Sequence, residues 1–479
     1  MKDLYKLTVK EASEKIQAGE ISSEELTKSC LERVKEMEPE INAFITVTEK
    51  YALTRAKEID KKLSKKELRS PLVGIPYSLK DVYVTKGIET TAGSRILKGY
   101  IPQYDATVHR RIEEAGGILI GKTNCDPFGF GSSTEHSGYG VTKNPNNTDY
   151  VPGGSSGGSG AAVAYGGGLY SIAEDTGGSI RCPASFCGVD GLKVTYGRVS
   201  RYGALAYASS YDTVGPIAQN AEDIALIMSV IAGKDPFDAT SFEGGKDDPP
   251  DYSRNLGKSL KGRKIGLPKE YYGKGLDDEV RNVIEKAIDK YKSLGCETVE
   301  ISLPYTEFAI AAYYVVGISE ASSNLARYDG IRYGIDVEAE GWKEKMQEVR
   351  SRGFSDEAKR RIMVGTYALS KGYADKYYKK AQKVRQLLRN DFERALNEVD
   401  IILTPTMPVL PFKIGENIDD PLKMWLVDAF TAAINPVGVP ALSVNAGTSK
   451  DGLPVGMQLI GPHFLEDRLL NFAHIFEAS

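Results

Sequence analysis

Two Gly-Gly-Ser triplets lie close together in the chain, Gly153-Gly154-Ser155 within VPGGSSGGSG and Gly177-Gly178-Ser179 within DTGGSIRCP. A serine hydroxyl can attack an acyl carbon once a base removes its proton. Glycine lets the main chain approach a ligand closely and adopt conformations that side chains forbid. Residues 169–174 read as a strand and residues 179–186 as a short helix, with Pro183 tolerable near its first turn. Ser179 then sits on a strand–turn–helix corner. The amides of Gly177, Gly178 and Ser179 are expected to be free there, with the positive end of the helix dipole behind them. Donors so placed stabilise negative charge on an attacked carbonyl oxygen, so the chemistry is acyl transfer. One such triplet alone reads as a flexible linker. Two, interleaved with a strand and small-residue helix positions, do not.

The proton acceptor stays open on residue types alone. The chain has four histidines, His109, His136, His463 and His474, and only His136, in SSTEHSGYG, falls in a suitable loop. Lysine is the alternative, but it must be neutral to accept a proton, which requires burial or a cationic neighbour. Lys80 ends a run in which Val73, Ile75 and Tyr77 alternate as in a strand, and so fits that need. A lysine outside such a setting is a solvated charge. One further match is refused. Residues 116–123 fit GxxxxGK[ST], yet an apolar strand fills the interior of the motif and Asn124-Cys125-Asp126-Pro127 follows it instead of a helix.

Composition narrows the class. The 479 residues are 41% hydrophobic and 26% charged, as in a soluble globular protein, with no apolar run of membrane-spanning length. The first residues are amphipathic and acid-containing and read as a mature, cytosolic start. The five cysteines (Cys30, Cys125, Cys182, Cys187, Cys296) are scattered without CxxC spacing and read as reduced thiols, with no metal site. A net charge of −4 and a pI near 5.9 argue against direct nucleic-acid recognition as the main task.

The elements that must position these residues alternate. Residues 8–68 read as two or three amphipathic helices, one starting at Ser22 or Ser23. A strand ending at Lys80, a helix over 106–114 and a strand at 118–120 follow, then the serine segment and a helix over 221–232. Residues 234–256 read as a surface excursion, 264–301 as a βαβ unit, and 306–398 as a helical elaboration; strands resume at 401–403, 441–444 and 456–460. The expected fold is α/β, a central mixed sheet covered by helices on both faces, in one continuous domain over 1–479.

Residues 153–159, 175–181 and 74–81 together resemble the active-site pattern of the amidase signature family, and the similarity extends over nearly the whole chain. Within that family, residues 131–135, 320–330 and 359–363 are similar to the A subunits of glutamyl-tRNA(Gln)/aspartyl-tRNA(Asn) amidotransferases. The chain departs from what those subunits more often carry at Cys125, Pro127 and His136. The resemblance implies a triad of Ser179 as nucleophile, Ser155 as relay and Lys80 as base, with a cis Gly154–Ser155 peptide. It implies an oxyanion hole from Thr176, Gly177, Gly178 and Ser179, with Arg361 on the α-carboxylate of glutamine and Asp428 on its α-ammonium. It also implies a cytoplasmic heterotrimer. There a B subunit handles tRNA with ATP and magnesium, a C subunit clamps the other two together, and the glutamine-hydrolysing subunit carries no cofactor of its own. The rival expectations are a free-standing amidase for a small amide and a non-catalytic scaffold. Intact Lys80, Ser155 and Ser179 speak against the scaffold.

Overall fold

The computed structural model describes residues 3–244 and 250–479. Its strands join into one eleven-stranded sheet. They are β1 (Phe44–Val47), β2 (Pro76–Lys80), β3 (Ile118–Thr123), β4 (Tyr170–Asp175), β5 (Asp190–Lys193), β6 (Thr213–Ala218), β7 (Lys264–Pro268), β8 (Glu297–Ile301), β9 (Ile401–Pro405), β10 (Ala441–Thr448) and β11 (Pro454–Ile460). Their order is β1-β3-β2-β4-β6-β5-β10-β11-β9-β7-β8. The β3-β2-β4 and β8-β7-β9 neighbours are parallel and the other pairs antiparallel, so the sheet is mixed as expected. Strands β2, β3, β4, β5, β6, β9 and β11 are buried at every residue, which requires cover on both faces.

The N-terminal region forms helices Val9–Gln17, Ser23–Ile41 and Glu49–Ser64. Ser22 caps the second and exchanges hydrogen bonds with Glu25, which makes Ser22 the cap and Ser23 the first helical residue. β1 interrupts this helical stretch and corrects the expectation for 8–68. It is a short edge strand that pairs antiparallel to β3, supported by tertiary pairing more than by a long pattern of its own. The refused phosphate-loop match is β3 itself: Lys122 lies in the strand, wholly buried, 3.0 Å from Asp81.

Helices Asp278–Ser293, Ala309–Asn324, Trp342–Gly353, Asp356–Leu369 and Tyr378–Glu398 account for the predicted βαβ unit and helical elaboration. The described part of 234–256 is tied down more firmly than a free excursion. Asp235 accepts from Thr107 Oγ1 at 2.5 Å and from Ser200 Oγ at 2.6 Å. Residues 245–249 of that segment lie outside the described residues. Among the described residues no helix is long and apolar enough to cross a membrane.

Candidate active site

β4 carries the chain into the second triplet, and the helix Arg181–Cys187 carries it away. Two glycines are required in between. A Cβ on Gly177 would lie 2.4 Å from the Tyr313 hydroxyl, and one on Gly178 (φ +142°) 2.4 Å from Thr431 Oγ1. The turn is held from below by Asp175, whose Oδ1 accepts from Gly178 N at 2.8 Å and whose Oδ2 accepts from Ile180 N at 3.1 Å. Arg181 forks onto the same carboxylate, Nε and Nη2 each donating at 3.0 Å. Its remaining reach is taken by Gln458 Oε1 at 2.6 Å, Asn435 Oδ1 at 2.7 Å and Thr431 O at 3.2 Å. Burial alone would raise the Asp175 carboxyl, but Arg181 and the Ile180 amide hold it down at about 2.

This clamp corrects one expectation. The Gly178 amide is engaged with Asp175 and is not free, because the helix begins at Arg181 and the turn before it is closed by a carboxylate. The amides of Thr176, Gly177 and Ser179 have no acceptor among the described residues.

The first triplet faces β2. The Gly154–Ser155 peptide is cis. A Cβ on Gly154 would fall 2.5 Å from both Asp126 Oδ2 and Ser133 N, so only glycine fits between those loops. Lys80 Nζ lies within hydrogen-bonding distance of Ser155 Oγ at 2.8 Å and of Glu174 Oε2 at 2.9 Å, and 3.5 Å from the Glu174 carbonyl oxygen. Lys80 and Ser155 are fully buried while Ser179 keeps 7% of its surface, so of the three only Ser179 is open to a ligand. Ser179 Oγ has no hydrogen-bonding partner among the described residues, and no hydrogen bond joins it to Ser155.

His136 is half-buried, and its backbone donates to Asp126 Oδ1 at 3.2 Å; its ring is bonded to neither serine. His109 is committed to the Tyr77 hydroxyl at 2.5 Å. The geometry therefore brings Lys80, and no histidine, to Ser155. Of the other departures, Cys125 is buried against Gly93, and Pro127 opens a short turn that leads to Phe130.

Arg361 and Asp428 lie on separate elements, a helix capped by Ser355 and the turn after helix Pro421–Val427. Both side chains are buried. The Arg361 guanidinium lies 5.1, 5.5 and 5.8 Å from the rings of Phe130, Tyr314 and Tyr207, and is held by Glu357 Oε1 at 2.7 Å and the Tyr207 hydroxyl at 3.0 Å. Asp428 accepts from Ser132 Oγ and from the Tyr314 hydroxyl, each at 2.9 Å. Burial pushes its carboxyl up to about 7 against those donors and Arg361. Thr431, bonded back to Asp428, is the residue that packs on Gly178, and Tyr313, beside Tyr314, packs on Gly177. Asp428 thus reaches the serine corner through Thr431, and Arg361 joins it across Tyr314, whose hydroxyl donates to Asp428 and whose ring lies against the guanidinium.

Sequence reasoning missed Glu174 and Asp212. Glu174 reads as an ordinary strand residue, and Asp212 lies in a turn-rich stretch with no motif. Only the β4–β6 pairing brings them together, at either side of Thr176 Oγ1.

The sequence pattern of the amidase family matches residues 25–470. The chain belongs to the amidase family. Among amidase relatives, the A subunit of glutamyl-tRNA(Gln) amidotransferase from Caldanaerobacter subterraneus subsp. tengcongensis is 51% identical, over all of this chain and 97% of the relative. The corresponding A subunit from Carboxydothermus hydrogenoformans is 52% identical, over all of this chain and 98% of its own. The crystal structure of the glutamyl-tRNA(Gln) amidotransferase A subunit from Thermotoga maritima superposes with a TM-score of 0.80 at 37% identity, covering 98% of this chain and 94% of that one. A peptide amidase from Stenotrophomonas maltophilia superposes at 0.85 with 29% identity, covering 99% and 96%. The amidase fold therefore serves more than one amide, and the site has to distinguish them.

Proposed function

We propose that this chain is the glutamine-hydrolysing component, the A subunit, of a tRNA-dependent amidotransferase. The observation that carries the reading is the buried pair Arg361 and Asp428 beside the serine corner. A guanidinium and a carboxylate at that place suit the two charges of a free amino acid and serve no purpose for an uncharged amide. The full-length similarity to the A subunits named above supports the same choice.

In this reading Arg361 takes the α-carboxylate of glutamine and Asp428 its α-ammonium, which leaves the side-chain amide over Ser179. Neutral Lys80 takes a proton from Ser155 as Ser155 takes one from Ser179, and Ser179 Oγ attacks the amide carbon. The oxyanion is met by the amides of Thr176, Gly177 and Ser179. The same relay returns a proton to the leaving nitrogen, ammonia departs, and water then cleaves the γ-glutamyl ester. A B subunit receives the ammonia, binds Glu-tRNA(Gln) or Asp-tRNA(Asn), and carries the ATP and magnesium chemistry, while a C subunit clamps the two. The chain itself uses no cofactor and works in the cytoplasm.

The test compares kcat/KM for free glutamine with that for an uncharged acyl amide, using the chain purified with whatever partners accompany it. Glutamine should be preferred by about 100-fold or more, as expected where buried polar groups go unpaired with the wrong ligand. Equal values would move the chain to the free-standing amidase reading. Mass spectrometry of the same preparation should find B and C partners.

A further inference from the structure

Glu174 touches the proposed base twice. Its carboxylate oxygen Oε2 is 2.9 Å from Lys80 Nζ and its main-chain oxygen 3.5 Å, with Ser155 Oγ on the third side at 2.8 Å. A neutral primary amine has two N–H donors and one lone pair. Of the three oxygens around Nζ, the main-chain oxygen of Glu174 can only accept, and so can its carboxylate oxygen when ionised, whereas Ser155 Oγ also carries a proton. The one arrangement that satisfies every group sends both N–H bonds to Glu174 and turns the lone pair toward Ser155.

Glu174 is itself fixed. Its Oε1 accepts from Thr176 Oγ1, and that same hydroxyl oxygen lies 2.7 Å from Asp212 Oδ1. One hydroxyl proton cannot serve two carboxylates, so one of the two acids must hold a proton of its own. Burial, then the neighbouring Glu174, push Asp212 up to about 7. A protonated Asp212 donates to Thr176, Thr176 donates to Glu174, and Glu174 faces Lys80 as the carboxylate. The other titratable groups around the pair are Tyr83, whose hydroxyl donates to Ala173 O at 2.7 Å, and Cys125, with Arg201 acting on Asp212 from further off. Burial raises both Tyr83 and Cys125, so neither becomes an anion at neutral pH.

We propose that Glu174 is a positioning residue for the amidase reaction: it takes both N–H bonds of neutral Lys80, aims the lone pair at Ser155 Oγ, and supplies the counter-charge when the amine becomes an ammonium. The inference rests on Lys80 being the base. As Ser179 attacks, its O–H bond breaks toward Ser155 Oγ and the Ser155 O–H bond breaks toward Nζ, where the new N–H bond forms. The positive charge gained at Lys80 offsets the negative charge gained at the oxyanion. Glu174 stays ionised throughout and loses and gains no proton.

The test uses the full chain with its co-purified partners and the variants Glu174→Gln and Glu174→Ser. The glutamine side chain keeps shape and an acceptor oxygen and removes only the charge. Its kcat for glutamine should fall about tenfold or more with KM little changed, because the base loses strength. The acidic limb of the kcat/KM profile should move to lower pH by roughly one unit or more, since a carboxylate facing an amine favours its protonated form and a neutral amide does not. The serine variant should lose more rate and shift the limb in the same direction, and it carries the test if the glutamine variant does not fold. An acidic limb at the wild-type pH in either folded variant, whatever the rate, would overturn the proposal. Lys80→Ala measured alongside separates this from the triad itself: full activity there would reject the base, not only its support.

Discussion

Lys80 Nζ lies 2.8 Å from Ser155 Oγ, and neither side chain touches solvent. A lysine sealed at the end of a central strand is costly unless something uses or balances its charge. This relationship separates the chain from histidine-based hydrolases, since the four histidines all lie elsewhere in the bonding pattern.

The base is therefore tested by contrast. Lys80→Ala should lower glutamine hydrolysis by about 10²–10⁴-fold. His136→Asn should stay within a few-fold of wild type, because the ring is bonded to neither serine. Steady-state ammonia release at saturating glutamine reads both. A near-wild-type Lys80→Ala would reject the relay.

The charged pair predicts selectivity. Arg361→Ala or Asp428→Ala should cost roughly 1.5–3 kcal/mol in recognition of glutamine, about ten- to over a hundredfold in kcat/KM. The same variants should change turnover of an uncharged acyl amide far less. Equal losses on both substrates would make the pair structural.

Asp428 also predicts a pH dependence. Its carboxyl sits at about 7, so as pH falls below that value protons compete with the glutamine ammonium for it. Glutamine affinity should weaken by up to about tenfold per pH unit in the acidic range. Isothermal titration of the Ser179→Ala protein reads binding without turnover. In a background with Asp428→Asn the affinity should be lower and flat across the same range.

Asp175 predicts stability. Its folded carboxyl lies at about 2, below the ordinary value of 3.8, so its contribution is complete above that ordinary value. It is lost as pH falls through the range toward 2. Asp175→Asn leaves Arg181 buried and without its anion, which should cost about 3–5 kcal/mol. Urea unfolding near neutral pH should show that loss, and the mutant curve should approach wild type under acid conditions.

The serine corner was legible because it is local. Glycines at 177 and 178 and a strand running into Ser179 announce themselves within a few residues, and the alternation of strands and helices gave the α/β sheet. Lys80 was legible as a strand end and as a candidate base, but residue types left the choice open, since its burial depends on β3 and β4 flanking β2. The loss of the Gly178 amide to Asp175 was not legible, because a side chain closing its own turn leaves no pattern. Neither was β1, whose short run needs β3 to become a strand. Glu174 and Asp212 meet only through antiparallel pairing of strands far apart in the chain. Arg361 and Asp428 were reached through resemblance; nothing local in a basic helix run marks one arginine as buried.

The most direct test of the account is covalent. Wild-type protein is treated with a glutamine-derived electrophile, and the site of attachment is found by peptide mass spectrometry. One label per chain is expected on Ser179, with none on Ser179→Ala although that variant unfolds at the wild-type temperature. A stoichiometric label on any other residue of the folded Ser179→Ala protein would contradict the account.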